Sequence, residues 1–411
     1  MGRFKSWMNR LRESELRTHW RLLAATCTLA LATPAPLVIR PFSLYFESWR
    51  TEFHWTAAQI SVAASIFVWT IALGSPTVGR ISDRFPAKNV VRGFGAAYCL
   101  SMIAIGRGSG SLALLYFSFF CLGIGGMGIS IIIFTRLISQ CFRKLLGTAL
   151  ACLMLATAAS AMVTPILLQR IIRSDGWRAG WYYIAAAAFL DFMVASQWLP
   201  QPVPGAASES RSIGAQLFRS SQFRLLSVLG MLLVILAETC SITLAPIVRE
   251  AGVPAGATGT SLAIFGAGSM LGRIGTGFLL DRRPAIEAVL FCVVSALAGF
   301  GLLVFGGGGI AQVGCYFLGQ ASGSEVDVVP YLIRQRFGKI HFGEVSGYVR
   351  AIGWFGGAGA VSLMGFSRDA TGSYKLMLVL LIVAVLPTLV LAKIFFRHRP
   401  PLGEPVSGSE L

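Results

Sequence analysis

Residues 261 to 283 read S-L-A-I-F-G-A-G-S-M-L-G-R-I-G-T-G-F-L-L-D-R-R. The segment is apolar, rich in glycine and long enough to cross a bilayer. It carries one arginine, Arg273, before the charged triplet Asp281, Arg282 and Arg283 ends it. From Arg273 to Asp281 a helix rises about 12 Å, so with Asp281 at the membrane edge the guanidinium starts near mid-bilayer. A charge at that depth is costly and marks an aqueous pathway or a partner.

The rest of the chain has the same character. Of 411 residues, 55% are hydrophobic and only 13% charged, with a mean hydropathy of +0.69; soluble domains carry roughly twice that charged share. Apolar runs of bilayer length lie at about 22–46, 57–79, 90–106, 112–135, 148–169, 179–199, 225–248, 258–280, 285–305, 309–333, 345–366 and 376–396. The expected fold is therefore all-α and integral to the membrane, with twelve transmembrane helices. No soluble domain of any size fits beside them.

A net charge of +17 would suggest nucleic acid in a soluble protein, but its distribution points elsewhere. Arg3, Lys5, Arg10, Arg12, Arg17 and Arg21 precede the first run; Arg84, Lys88 and Arg92 follow the second; Arg143 and Lys144 follow the fourth. Later even-numbered loops repeat the bias, while Arg170, Arg173 and Arg178 are an exception between the fifth and sixth runs. The excess places both termini in the cytoplasm, with the protein multi-pass in the cell's inner (plasma) membrane. The N-terminus has no short apolar core with a cleavage site. The eight cysteines form no C-x-x-C pair and mostly sit inside apolar runs, as small buried hydrophobes. No cofactor or metal framework is expected.

The chain also repeats itself. At an offset of 198, Phe67 falls on Phe265, Gly74 on Gly272, Gly79 on Gly277, Asp83-Arg84 on Asp281-Arg282 and Pro86 on Pro284. Two pseudo-symmetric six-helix halves follow: a basic tail over 1–21, a first half over 22–199, a polar linker over 200–222, a second half over 223–396 and a tail over 397–411. Parallel duplication of this kind puts a binding site at mid-depth between the halves.

Gly79-Arg80-Ile81-Ser82-Asp83-Arg84, with Lys88 behind, resembles the G-x-x-x-D-R-x-G-R-R signature of major facilitator transporters; Pro86 stands where a glycine is usual. Within that superfamily the chain is similar to the monocarboxylate transporter type and its bacterial relatives, including the oxalate:formate group. The supporting stretches are Glu52-Phe53-His54-Trp55, Gly176-Trp177-Arg178, Gly272-Arg273 and Arg368-Asp369-Ala370-Thr371-Gly372-Ser373-Tyr374. The resemblance implies a monomeric carrier of a small organic anion, with an arginine of helix eight, here Arg273, binding substrate. It also implies a basic residue in helix one, usually lysine, where this chain has Arg40. The second cation of the oxalate-type relatives has no match, because Gly356-Gly357 occupies its place and Arg350 lies nearer the cytoplasmic edge.

Each charge has a plain alternative. Gly79, Asp83 and Arg84, with Gly277, Asp281 and Arg282, are ordinary loop charges or a duplicated conformational gate. The gate follows from their recurrence, with Arg136 and Arg143 as partners. Arg273 forms a fixed salt bridge or counters a substrate carboxylate; Ser75 in the first half gives it no repeat-equivalent. Arg40 snorkels outward or, between Pro34, Pro36 and Pro41, sits on irregular backbone at a cavity.

Asp327 and Glu325 are about 200° apart on helix ten. Asp327 shares a stripe with Gln320, Ser324, Tyr331 and Arg334, whereas Glu325 faces a neighbouring helix. Asp327, Glu325 and Glu238 are the candidates for carrying a proton, with helix packing as the alternative; Asp191 is peripheral. Glycines 123, 125, 126 and 128, and 353, 356, 357 and 359, suit close helix packing.

No Walker sequence is present, and the four histidines fall outside the apolar runs, so neither an ATP-driven pump nor an intramembrane enzyme is expected. The expected function is proton symport of an organic anion, a monocarboxylate or aromatic acid. The alternative is an antiporter or efflux carrier of the same fold.

Overall fold

The computed structural model describes residues 2–142, 145–199, 217–337 and 342–397, without the side chains of 2–16, 75–76, 78–80, 82–84, 132, 147 and 342–343. These residues form helices and no strand. In chain order they are α1 Gly2–Leu31, α2 Phe46–Phe53, α3 Ala57–Arg84, α4 Ala87–Gly106, α5 Leu112–Met127, α6 Ile131–Cys141, α7 Leu146–Ala195, α8 Ser221–Glu250, α9 Thr258–Arg282, α10 Ala285–Phe305, α11 Gly309–Phe337, α12 Phe342–Thr371 and α13 Lys375–Arg397.

The expected runs all fall on helical backbone, although not one to one. The runs 148–169 and 179–199 share α7, which breaks at Gly176 (φ 85°, ψ 167°), a conformation glycine adopts without a Cβ penalty. The run 112–135 is divided between α5 and α6 around Gly128. Among the described residues, eight helices are long and apolar enough to cross a membrane; α11 and α12, rich in glycine and charge, are not among them.

The repeat read from the sequence is present in the backbone. α4 and α10 start 198 residues apart, at Ala87 and Ala285, each after an extended residue and a proline: Phe85-Pro86 and Arg283-Pro284. Proline suits a helix start because the missing N–H has no intrahelical partner there. Two apolar cores form. One draws on residues 22–199 with Ile242, Ala358 and Val361, the other on residues 217–395.

The halves are joined at the end of the bundle away from the termini, called distal here. Along α3 and α12 the contacts run from Asp369, whose carboxylate accepts from the N–H groups of Ala57 and Ala58 at 3.0 and 2.7 Å, through Ser65 with Ser362 and the Ala358 carbonyl, to Trp69 stacked on Phe355. Along α7 and α9 they run from Gln169 on Ala255 and Gly259 to Met154 on Arg273. A surface ion pair, Arg249 to Glu47 at 3.3 Å, adds to the distal seam.

Three of the stretches behind the family resemblance, those of Glu52, Trp177-Arg178 and Arg368-Asp369, lie at this end. Glu52 accepts from Trp177 and from both guanidinium nitrogens of Arg178, and its repeat-equivalent Glu250 pairs with Arg368 at 3.5 Å. His54 ends α2 in the left-handed conformation (φ 56°). Behind Glu52, Trp49 is fully buried and stacks parallel to Trp181.

Candidate functional site

The first helix cannot stay regular after Leu31. Pro34, Pro36 and Pro41 remove backbone donors. The chain answers with a wide π turn over Ala35–Ile39, closed by Arg40 N–H to the Ala35 carbonyl at 3.0 Å, and then a tight 3-10 turn over Phe42–Tyr45. This irregular stretch aims Arg40 across the interface. Opposite it, α8 leaves helical geometry at Thr243, ahead of Pro246.

Arg40 meets Glu238 there in a two-pronged ion pair, Nη1 to Oε2 at 2.9 Å and Nη2 to Oε1 at 3.1 Å, with side chains only 13% and 6% exposed. Ser322 of α11 accepts from Arg40 Nη2 at 2.8 Å and donates to Glu238 Oε1, while Ser241 donates to Oε2 at 3.1 Å. Glu238 thus receives four hydrogen bonds, about the capacity of a carboxylate. The Arg40 guanidinium also lies over the ring of Phe265, 4.7 Å from its centroid.

Arg273 is placed differently. Its Nη1 donates to the Met154 thioether at 3.0 Å, a weak acceptor, and no ion pair within 4 Å reaches it among the described residues. Asp327, Glu325, Arg40 and Arg350 lie within electrostatic reach. Glu325 is buried and Asp327 part-buried, and neither forms an ion pair or hydrogen bond among the described residues. The expected pairing of Glu325 with a neighbouring helix is therefore not made as a contact. Its electrostatic neighbours are Arg350, Glu238, Arg273 and Asp327. Arg40, Arg273 and Arg350 stand against Glu238, Glu325 and Asp327, so the set balances when all are ionised.

Direct backbone contact holds α9 and α11 in register. A Cβ at Gly268 or Gly272 would lie 2.1 or 2.2 Å from the carbonyls of Tyr316 or Gln320, and one at Gly319 or Gly323 would lie 1.9 Å from those of Phe265 or Ser269. Each helix offers G-x-x-x-G, which lets backbones touch. This pair of motifs fixes the spacing between Arg273 and the acids of α11, and its G-x-x-x-G signal is legible in the sequence. Ser322, Phe265, Ser241 and Met154 have no comparable signal. Arg40 and Glu238 occupy repeat-equivalent positions, 198 residues apart, but equivalence in a repeat does not by itself signal a contact.

Of the expected gate, Gly79, Asp83 and Arg84 lie outside the residues whose side chains are described, as does Arg143 wholly. Asp281 is exposed, with no ion pair among the described residues, and Arg282 lies over its own helix's Phe278 at 4.2 Å. Gly277 has open space around it, and Arg136 is part-exposed. Among the described residues no group of three or more His, Cys, Asp or Glu is placed to hold a metal ion.

The family model described as Major Facilitator Superfamily matches residues 22–361. The chain belongs to the Major Facilitator Superfamily. It is 24% identical over 386 residues to monocarboxylate transporter 13 of Bos taurus, covering 90% of this chain and 88% of that one. Its fold is similar to that of the nucleoside transporter NupG, with a TM-score of 0.75 at 13% identity over 92% of this chain and 98% of that one. A bacterial homologue of the human lysosomal transporter Spinster, inward-facing and occupied, gives 0.67 at 15% identity over 93% and 96%. As a major facilitator protein the chain is a multi-pass membrane transporter for a small molecule, not an enzyme. The charged set lies where the two halves of that fold meet.

Proposed function

We propose that this transporter moves an organic anion, a monocarboxylate or an aromatic acid, together with protons by alternating access. The observation that carries the reading is Arg273: a guanidinium at mid-depth on α9, reaching the other half, whose hydrogen bond goes to a thioether. A desolvated guanidinium binds a carboxylate through strong charge-assisted hydrogen bonds. The monocarboxylate transporters at 24% identity support that choice of cargo.

The balance of the charged set supports coupling to protons. A carboxylate entering alone would leave one negative charge in excess at a depth where uncompensated charge is costly; a proton taken up with it by Asp327, Glu325 or Glu238 keeps the set neutral. Arg40 is the second anion-binding residue. Gly79, Asp83, Arg84, Gly277, Asp281, Arg282 and Arg136 form the gate at the terminal end. The bias of the loop charges supports cytoplasmic termini in a plasma membrane, and on that reading the distal seam lies on the outer side. The protein acts as a monomer.

The rival reading, exchange or efflux, requires that the empty carrier not reorient. Glu238 fills the Arg40 site when no anion is present, and a carrier whose cation is already neutralised can return empty, which favours symport. The test is uptake of radiolabelled lactate, pyruvate and benzoate into proteoliposomes. An alkaline-inside gradient drives accumulation and a protonophore abolishes it. Counterflow that ignores the gradient favours exchange.

A further inference from the structure

Glu238 makes with Arg40 the contact a substrate carboxylate would make. Resting on the organic-anion reading above, we propose that Glu238 is an internal competitor for Arg40, and that its displacement by the incoming carboxylate is the step that takes up the proton. Two oxygens of one carboxylate occupy two nitrogens of one guanidinium, so Glu238 and a substrate in the same two-pronged pose exclude each other.

The exchange balances. The two Arg40–Glu238 contacts break, two form between Arg40 and the substrate, and Glu238 accepts one proton that comes from the bulk solution on the same side as the anion. Arg40 keeps its own proton throughout. The net charge of the site is unchanged by the arrival of anion and proton together.

Among the described residues Glu238 has no second cation at contact distance; Arg350 of α12 is within electrostatic reach of the neighbouring Glu325. From α11 it faces the Ser322 hydroxyl, with Glu325 nearby; from α10 it faces Cys292, whose thiol donates to the Ala321 carbonyl; from its own helix, Ser241. Arg273 is an electrostatic neighbour of Arg40. A carboxylate stripped of Arg40 in this setting keeps only hydroxyl donors, and a buried ion without its partner is neutralised instead. Ser322 is the positioning residue: its hydroxyl bridges Arg40 and Glu238 and holds the resting pair together from a third helix.

The test is calorimetric binding of lactate, pyruvate and benzoate to the purified full-length protein at pH 7, in two buffers of different ionisation enthalpy, which counts protons. The wild type takes up about one proton per anion bound, and Glu238→Gln binds the anion with no proton. Ser322→Ala, which keeps every charge, weakens the resting pair and binds anion roughly tenfold more tightly with the proton count unchanged. A Glu238→Gln protein that still takes up a proton with each anion overturns the proposal and leaves the organic-anion reading standing. So does an unchanged affinity in Ser322→Ala, which also decides the matter should Glu238→Gln fail to fold. Absence of binding of all three acids to the wild type overturns the organic-anion reading, and the proposal with it.

Discussion

Arg40 and Glu238 are 198 residues apart, the interval that superposes one half of the chain on the other, and they are joined by a two-pronged ion pair at 2.9 and 3.1 Å. The duplicated position has thus diverged into a cation on the first helix and an anion on the seventh run. The two meet across the interface between halves. Removing one member leaves the other buried and unpaired, so Arg40→Ala or Glu238→Ala should lower stability by about 3–5 kcal/mol. The double variant Arg40→Met/Glu238→Leu should recover most of it. Thermal unfolding in detergent checks both.

The α9–α11 contact allows no added methyl group without backbone movement. Gly272→Ala and Gly323→Ala should each cost about 1–3 kcal/mol, because the atoms met at 2.2 and 1.9 Å are carbonyl oxygens rather than side-chain tips. Gly277→Ala, which meets open space, should leave the melting temperature within error of the wild type.

Asp369 closes the distal end by accepting from two N–H groups at the start of α3. Hydrogen bonds to a charged group contribute about 1.5–3 kcal/mol each, and a carboxylate also suits a helix N-terminus. Asp369→Ala should therefore shift the population toward distal opening by more than about tenfold. Labelling of Ser362→Cys, buried in the seam, by an impermeant maleimide from the distal side reads the shift. Labelling no faster with Asp369→Ala than without it would contradict this role.

Glu52 lies outside the membrane spans, and the hydrogen bond from Arg178, aided by that from Trp177, holds its carboxyl below the ordinary value of 4.5. A group depressed in the folded state adds stability above its unfolded pKa and loses it as pH falls through the folded one. Melting temperature should thus decline as pH drops below about 4.5, and Glu52→Gln should flatten that limb. The pair is part-exposed, so the effect is small.

The fold was legible because two periodic signals survive in the sequence: bilayer-length apolar runs and the 198-residue repeat. Arg273 was legible as a single charge in an apolar segment. The partners of Arg40 were not, because ion-pair choice depends on how two halves pack, and a proline-rich turn rotates Arg40 by an amount no periodicity predicts. Ser322 and Met154 look like any small or flexible membrane residue until the interface is assembled. The stretches that resemble the monocarboxylate transporter type separate in the structure: Glu52 with Trp177 and Arg178, and Asp369 with α3, lie in the distal seam, whereas Gly272-Arg273 combines a packing residue with the candidate anion site.

The role of Arg273 is tested most directly by the initial rate of acid uptake into proteoliposomes under an alkaline-inside gradient, compared between wild type and Arg273→Ala at equal reconstituted amounts. Loss of a desolvated charge partner costs about 2–5 kcal/mol, so the rate should fall at least thirtyfold, with Arg273→Lys retaining part of it. Uptake by Arg273→Ala at the wild-type rate would contradict the assignment of the anion to this guanidinium.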